Sequence, residues 1–189
     1  MLFGIESYYP HFYTDTKEII KELGLKLSNI KDKRIIDVLV VWDTKNENWF
    51  KDCPVVLNIE GIQLELCANK IDELSITFNT IDMSQKIDWY GIDEFKLEWR
   101  KEPFSDLLLA KGKKIKNIEL IEYNYQTVIV YSKDNLKSVG DQNSSWILNG
   151  IGFELEDGYF SVCNGLDENE ISIKPETSDS IRTIKLFKK

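Results

Sequence analysis

The chain has 189 residues, of which 42% are hydrophobic and 12% aromatic, and its formal net charge is −8. This length fits one domain, and this apolar content excludes a disordered or membrane-embedded chain. The negative charge argues against general binding to nucleic-acid phosphates or to anionic membranes, and it favours a basic partner.

The three cysteines, Cys53, Cys67 and Cys163, are scattered along the chain without CxxC spacing. Neither a signal peptide nor an apolar run of membrane-spanning length accompanies them. An odd number of cysteines in such a chain is typical of reduced, mostly buried thiols. We therefore expect a cytoplasmic protein.

One helix is predicted near the N-terminus, over about residues 15–24. Thr14 or Asp15 is suited to cap its first turn, and apolar residues then recur at helical spacing. Gly24 stands where a helix commonly ends. The segment is short and amphipathic, so it needs a surface to pack on.

From residue 34 onward the pattern is that of β-strands. The β-branched run 34–43 is typical of a strand covered on both faces, whereas later segments alternate apolar and polar residues. The connections are too short for crossover helices, which indicates antiparallel hairpins over about 34–187. The predicted strands are 34–43, 54–60, 62–66, 74–79, 95–99, 115–123 paired with 127–131, 146–148, 151–155, 159–163, 171–173 and 181–187.

Two segments complete the predicted organisation. Residues 104–110 fit either a helical turn or a strand, and the polar residues 134–145 are predicted to form a long exposed loop. The predicted fold is mainly β (α+β). It is an antiparallel β-sandwich or partly open barrel of about ten strands with one N-terminal helix, in one domain over 1–189.

The sequence offers little that supports catalysis. Its one histidine, His11, stands among aromatic residues, no metal ligands have the short spacing of a zinc site, and phosphate-binding glycine loops are absent. We expect no enzymatic activity, no metal and no cofactor. Carboxylate pairs such as Glu65 with Glu154 leave glycoside hydrolysis open, although alternating glutamates are typical of solvated strand faces.

The charge distribution is the most informative feature. Residues 139–173 contain seven acidic residues, no Lys or Arg, and several aromatic residues. Two interpretations stay open: a docking face for a cationic protein, or a solvated edge that prevents aggregation. On the first interpretation, the residues expected to bind the partner are Glu154, Glu156, Asp157, Tyr159, Asp167, Glu168 and Glu170.

Several hairpins carry a family resemblance. The segments 62–79, 89–101, 112–123 and Gly152-Phe-Glu-Leu-Glu-Asp-Gly-Tyr-Phe160 resemble those of small uncharacterised Bacillus-type proteins. Many of those proteins are immunity partners of contact-dependent or polymorphic toxins. The resemblance covers about residues 50–175 and implies a cytoplasmic protein that binds the toxic C-terminal domain of a cognate toxin. It transfers no functional residue, because immunity interfaces differ between pairs.

Charge and resemblance together predict an immunity-type inhibitor that is monomeric when free. Many such toxins are nucleases, whose basic active sites hold phosphate, so an acidic inhibitor can occupy the site as a phosphate mimic. The alternative is a β-barrel or sandwich module that binds a small apolar ligand or a carbohydrate through Trp89, Phe95 and Trp99. A third possibility, a carboxylate hydrolase, requires two carboxyl groups about 5–9 Å apart in a cleft.

Overall fold

The computed structural model describes residues 2–6, 8–133 and 136–187, and the side chains of these residues except 129–142. This part of the chain contains two helices and twelve strands, and the strands form two antiparallel sheets. The prediction of a mainly β fold with a helix near the N-terminus is confirmed. Neither sheet closes on itself, so the arrangement is a sandwich and not a closed barrel.

Most of the predicted strands are present, and two short strands are additional. The segments predicted separately as 115–123 and 127–131 form one long strand, and so do those predicted as 146–148 and 151–155. In chain order the elements are β1 (Phe12–Tyr13), α1 (Thr16–Ser28), β2 (Ile35–Asp43), β3 (Asn48–Trp49), β4 (Val55–Ile59), β5 (Ile62–Asn69), β6 (Glu73–Phe78), β7 (Leu97–Lys101), α2 (Ser105–Ala110), β8 (Ile115–Lys133), β9 (Leu136–Leu155), β10 (Tyr159–Asn164), β11 (Asn169–Ser172) and β12 (Ile181–Lys185). Sheet A has the order β1-β6-β5-β4-β2-β3, with β7 also paired to β2. Sheet B has the order β11-β10-β9-β8-β12.

Helix α1 is longer than predicted. The Asp15 carboxylate caps it by accepting a hydrogen bond from the Lys17 N–H at 2.7 Å, and the helix then continues through Gly24 to Ser28. The expectation of an end at Gly24 is wrong because Leu27, one turn further on, is fully buried in the core. Burial of a leucine contributes about 2 kcal/mol, which exceeds the cost of about 1 kcal/mol for a helical glycine.

Sheet A is covered on both faces, as the apolar run in β2 predicts. Val40 belongs to a core shared by α1 and sheet B, whereas its neighbour Val41 belongs to a second core on the opposite face. The N-terminal residues and the loop between β6 and β7 supply the second core with Phe3, Tyr8 and Trp89. The alternation of β2 therefore divides its side chains between two apolar layers.

Strands β8 and β9 differ most from the prediction. They pair continuously out to Lys133 and Leu136, but β12 follows β8 only as far as Tyr123 and β10 follows β9 only from Gly150. Residues 124–133 and 136–149 therefore extend beyond sheet B as a two-stranded arm, here called the ribbon. The predicted pair 115–123 and 127–131 is wrong because both segments belong to β8. The predicted loop 134–145 is strand from residue 136, and residues 134 and 135 lie outside the described residues.

Two further expectations are settled by local contacts. The segment left open at 104–110 contains the short helix α2. Glu65, expected on a solvated strand face, is fully buried, because the chain after β6 folds back over it. Its carboxylate accepts hydrogen bonds from the Thr80 N–H at 2.8 Å and from the Gln63 side chain at 2.7 Å. In the described part of the chain, no helix has the length and apolar character needed to cross a membrane.

Candidate functional site

The predicted acidic patch is divided between two ends of sheet B. Glu156 and Asp157 lie in the turn between β9 and β10, whereas Asp167 and Glu168 lie in the turn between β10 and β11. Strand β10 separates the two turns by six residues, or about 20 Å at 3.3 Å per residue. Closeness in sequence therefore does not place these carboxylates on one surface.

At the first end, every predicted carboxylate has a basic partner within the chain. The ion pairs are Lys185–Glu154, Arg34–Glu156 at 2.6 Å and Lys113–Asp157 at 3.0 Å. The guanidinium of Arg34 lowers the pKa of Glu156, despite a smaller opposing effect of burial. Much of the negative charge at this end is therefore neutralised before any partner arrives.

The side chain of Tyr159 is buried and hydrogen-bonded within the chain. Its hydroxyl donates a hydrogen bond to Glu119 at 2.8 Å. Burial and then this hydrogen bond to Glu119 raise the pKa of the phenol. The ring lies over Gly152, where a Cβ would come within 2.1 Å of the Tyr159 hydroxyl oxygen. Glycine at 152 therefore provides the space that the tyrosine fills.

At the second end several carboxylates influence one another. Burial, followed by the charges of Glu168 and Asp167, raises the pKa of Asp52. Glu168 pairs with Lys51 at 2.6 Å, and the Asp167 carboxylate accepts a hydrogen bond from the Lys70 N–H at 2.5 Å. Glu170 is exposed and lies against Gly165, within 3.3 Å of where a Cβ would be. Carboxylates at this end therefore interact with one another as well as with Lys51 and Lys70.

A cavity of about 550 Å³ adjoins the second end. It lies on the outer face of sheet B, which faces away from sheet A, at the point where the ribbon begins. We call it the ribbon-base groove and define it by residues that line it: Tyr123, Tyr125, Ile147, Leu166, Glu170 and Glu176. Leu166 is 80% exposed and Tyr123 is 40% exposed, so apolar and aromatic surface faces the solvent here.

The loop 173–180, here called the strap, brings Glu176 to the groove. Strands β11 and β12 are at opposite edges of sheet B, so the strap must cross the outer face to connect them. A second cavity of about 410 Å³ lies between the strap and residues of the sheet, among them Ser161 and Cys163. Glu176 and Glu170 line both cavities, so the strap completes the acidic side of the groove.

The electrostatics of the groove are negative. Burial, and then the charges of Glu176 and Glu170, raise the pKa of the Cys163 thiol to about 12, while a hydrogen bond to Ser161 has the opposite effect. None of the described residues that line the groove is Lys or Arg, and Lys174 lines only the adjoining cavity. A cationic group is therefore the ligand that this environment favours.

The base of the ribbon is fixed from its inner side. Glu122 of β8 accepts a hydrogen bond from the Thr16 hydroxyl at 3.0 Å and pairs with Arg182 of β12. The Arg182 guanidinium lies 4.5 Å from the centroid of the Trp146 ring on β9. These contacts join helix α1 to strands β8, β12 and β9, and they hold the wall of the groove in place.

The residues proposed for the alternative functions lie elsewhere. Trp89 stacks on Phe3 with ring centroids 6.3 Å apart, and Phe95 packs on Phe50 at 4.9 Å. Trp89 and the β7 residue Trp99 pack against the second core of sheet A, and none of these three aromatic residues lines either cavity. Glu65 belongs to sheet A and Glu154 to sheet B, and Glu65 is enclosed by its own hydrogen-bond donors.

Metal binding finds no support in the described residues, since no three His, Cys, Asp or Glu side chains among them converge. All three cysteines are free, with Cys53 and Cys67 fully buried and Cys163 half-buried. Comparisons with protein-family models, curated proteins and solved structures find no match to this chain. The candidate site therefore depends on its own geometry.

Sequence reasoning missed five of the six residues that define the groove: Tyr123, Tyr125, Ile147, Leu166 and Glu176. The alternation of Tyr123 and Tyr125 is visible in the sequence, and it places both rings on one face of a strand. Glu176 carries no such signal, because only the crossing of the strap brings it to the groove. Among the predicted residues, Glu170 lines the groove itself.

Proposed function

We propose that this chain is an immunity-type protein that binds and neutralises the basic toxic C-terminal domain, a nuclease, of a contact-dependent or polymorphic toxin. The observation that supports the proposal best is the ribbon-base groove, which combines exposed aromatic and apolar side chains with carboxylates and has no Lys or Arg among its described lining residues. An apolar and aromatic centre beside charged residues is a common composition of protein interfaces. The proposed protein acts in the cytoplasm as a monomer, without a cofactor or a metal.

The ribbon adds the contact area that such binding needs. A standard protein interface buries about 800 Å² on each partner, which is more than a groove of this size offers. Residues 124–133 of β8 extend the surface by about 33 Å at 3.3 Å per residue. A nuclease domain seated on the groove and the ribbon would meet Glu170 and Glu176 with its phosphate-binding site.

The experiment begins with the gene next to that of this chain. The C-terminal domain of a large secreted protein encoded there is expressed alone and together with the chain, and cell survival is measured. We expect the domain to kill cells alone and to be harmless in the presence of the chain. Survival that does not depend on the chain, or the lack of any such neighbouring toxin, contradicts the proposal.

Charge-reversal variants then locate the interface. Isothermal titration calorimetry compares the wild type with Glu170→Lys/Glu176→Lys and with Asp93→Lys/Glu94→Lys, a control with the same change of charge on the exposed loop before β7. Loss of two favourable charges and gain of two repulsive ones weakens binding by about 100-fold or more. The control variant is expected to bind within about twofold of the wild type. Equal weakening in both variants would mean that only the net charge matters.

The alternative, a module that binds a small apolar ligand or a carbohydrate, gains one observation from the structure. A volume of about 550 Å³ lies within the range of small-molecule sites. Native mass spectrometry of the chain purified from its own cells distinguishes the two functions. A bound metabolite that survives purification favours the alternative, and a bound basic protein domain favours the immunity-type function.

A further inference from the structure

Along the ribbon, the edge of β8 that faces away from β9 is unpaired. Strand β12 pairs with this edge as far as Tyr123, and the Asn124 N–H then donates to the Ser180 carbonyl at 2.8 Å, where the strap joins β12. Beyond that point, none of the described strands pairs with this edge. Because strand hydrogen bonding alternates, the backbone N–H and C=O groups of Gln126 and Val128 point outward from it. Such a row of backbone groups is ready to pair with another strand.

The ribbon has no packed face near its base. The side chains at 125–128 of β8 and at 143–146 of β9 are all exposed, among them Tyr125, Val128 and Trp146. A two-stranded hairpin is at best marginally stable in water, and a third strand or a packed face is needed for stability. A strand added to the ribbon would therefore cover apolar surface and supply the support that the ribbon lacks in the free chain.

The two edges of the ribbon differ in sequence. Residues 124–132 of β8 contain no charged residue, proline or glycine, and six of the nine are β-branched or aromatic. Residues 136–149 of β9 include Lys137, Gly140 and Asp141. Charged residues on an edge strand oppose pairing with another chain, whereas β-branched and aromatic residues favour strand pairing. The edge of β8 is therefore the one suited to receive a strand.

The size of this edge indicates which occupant it fits. Nine residues form a strip about 30 Å long and about 10 Å thick, so strand pairing alone covers about 300 Å² on each side. A standard interface covers about 800 Å² on each side, so a second copy of this chain paired only through this edge falls short. The ribbon-base groove adjoins the edge, because Tyr123 and Tyr125 of β8 line it. A partner domain that covers the groove and adds a strand to β8 reaches the larger area.

We infer that the partner adds an extended, uncharged strand to the edge of β8, in line with β12 and beside the ribbon-base groove. This inference rests on the proposed function and deepens it, because it names the part of the partner that the ribbon recognises. The backbone groups of the incoming strand bond to those of Gln126 and Val128. Its side chains alternate between the two faces and pack beside Tyr125 on one face and beside Val128 on the other.

A pair of peptides that differ in their backbone donors tests the inference without the partner. The isotope-labelled chain is titrated with the capped heptapeptide Thr-Tyr-Thr-Val-Thr-Tyr-Thr and, separately, with the same peptide N-methylated at its three central residues, which blocks both of its edges. Amide chemical shifts give the affinity, and amide hydrogen exchange reports the pairing. We expect the first peptide to bind at least about tenfold more tightly and to slow exchange at Gln126 and Val128. The Thr127 N–H points toward β9 and exchanges slowly throughout.

Proline substitutions at two facing positions show which edge of the ribbon binds. Gln126 and Ser144 are partners across β8 and β9, and their N–H groups point outward to opposite edges. Gln126→Pro removes a donor from the β8 edge, so binding of the first peptide falls by about tenfold or more. Ser144→Pro removes the matching donor from the β9 edge and leaves binding within about twofold of the wild type. Circular dichroism confirms that both variants are folded.

Three results overturn the inference. They are a lack of binding by the first peptide, equal binding of the two peptides to the wild type, and equal weakening by the two proline substitutions. The peptide comparison uses the unaltered chain, so it decides the matter even if a proline variant does not fold.

The basic domain encoded beside this chain separates the inference from the proposed function. Neutralisation of that domain, with an affinity that Gln126→Pro leaves unchanged, supports the function and overturns the strand pairing. Strand pairing with the peptide, in a chain that neutralises no neighbouring toxin, supports the β8 edge as a docking site and contradicts the immunity-type function. The two measurements use different ligands, so neither result depends on the other.

Discussion

Asn169 connects the two sheets through hydrogen bonds in a fully buried position, and its replacement by alanine is a sharp test of the fold. Its Oδ1 accepts the Ala68 N–H at 2.8 Å, and its Nδ2 donates to the carbonyls of Lys51 at 2.6 Å and Cys53 at 2.9 Å. The substitution Asn169→Ala leaves the Ala68 N–H buried without an acceptor and removes the donor to Cys53. Lys51 keeps a bond to the Asn169 backbone N–H at 3.1 Å.

The expected loss is about 3 kcal/mol of unfolding free energy, from about 2 kcal/mol for the unpaired N–H and about 1 kcal/mol for the lost carbonyl bond. Urea unfolding followed by the fluorescence of the five tryptophans measures it. With a slope of about 2 kcal/mol per molar urea, the midpoint falls by about 1.5 M. Asn143→Ala, at an exposed position of the ribbon, is the control and changes stability by less than about 0.5 kcal/mol. A loss below about 1 kcal/mol for Asn169→Ala would refute the reasoning.

Three further substitutions test the helix, a buried carboxylate and the packing of Tyr159. Gly24→Ala increases the free energy of unfolding by about 0.5–1 kcal/mol, because alanine favours the helix and its Cβ meets no atom within 4 Å. The midpoint of thermal unfolding should therefore rise, and an unchanged midpoint would contradict this prediction. Burial alone would raise the pKa of Asp43, but hydrogen bonds to its carboxylate, first from the Lys96 N–H, have the larger combined effect and lower the pKa. The ionised carboxylate therefore stabilises the fold above about pH 4, and this stability is lost as the pH falls through the lowered pKa. Urea midpoints measured against pH should fall less steeply below pH 4 for Asp43→Asn than for the wild type, and parallel curves would contradict the assignment. Gly152→Ala displaces the Tyr159 ring and lowers the urea midpoint by the equivalent of about 1–3 kcal/mol, whereas a neutral effect would show that Tyr159 moves aside freely.

Local patterns predicted the strands well because side-chain alternation is a property of a few neighbouring residues. The pattern at Ile62, Leu64 and Leu66 gives the orientation of β5 without any knowledge of its neighbours. The end of α1 was predicted less well, because a local signal at Gly24 competes with the burial of Leu27 by distant residues. Tertiary packing outweighs helix propensity at such positions.

The candidate site was harder to predict because its charges are balanced over long sequence separations. Arg34 and Glu156 form an ion pair across 122 positions, so a stretch without Lys or Arg in the sequence is still partly neutralised in the fold. In the same way, the polar composition of residues 134–145 indicated a long exposed loop. From residue 136 onward this segment instead belongs to the ribbon, which extends past the points where β10 and β12 stop pairing. Whether a carboxylate is paired or free, and whether a polar segment is a ribbon or a loop, depends on contacts between segments that are distant in the sequence.

Hydrogen–deuterium exchange tests most directly whether a basic protein partner binds at the ribbon-base groove. The exchange of the free chain is compared with that of its complex with the basic domain encoded beside it. We expect slower exchange at residues 123–126 and 163–170, with no change at residues 92–96 on the opposite side of sheet A. Protection confined to the turn at residues 156–158, where the carboxylates are already paired, would contradict this expectation.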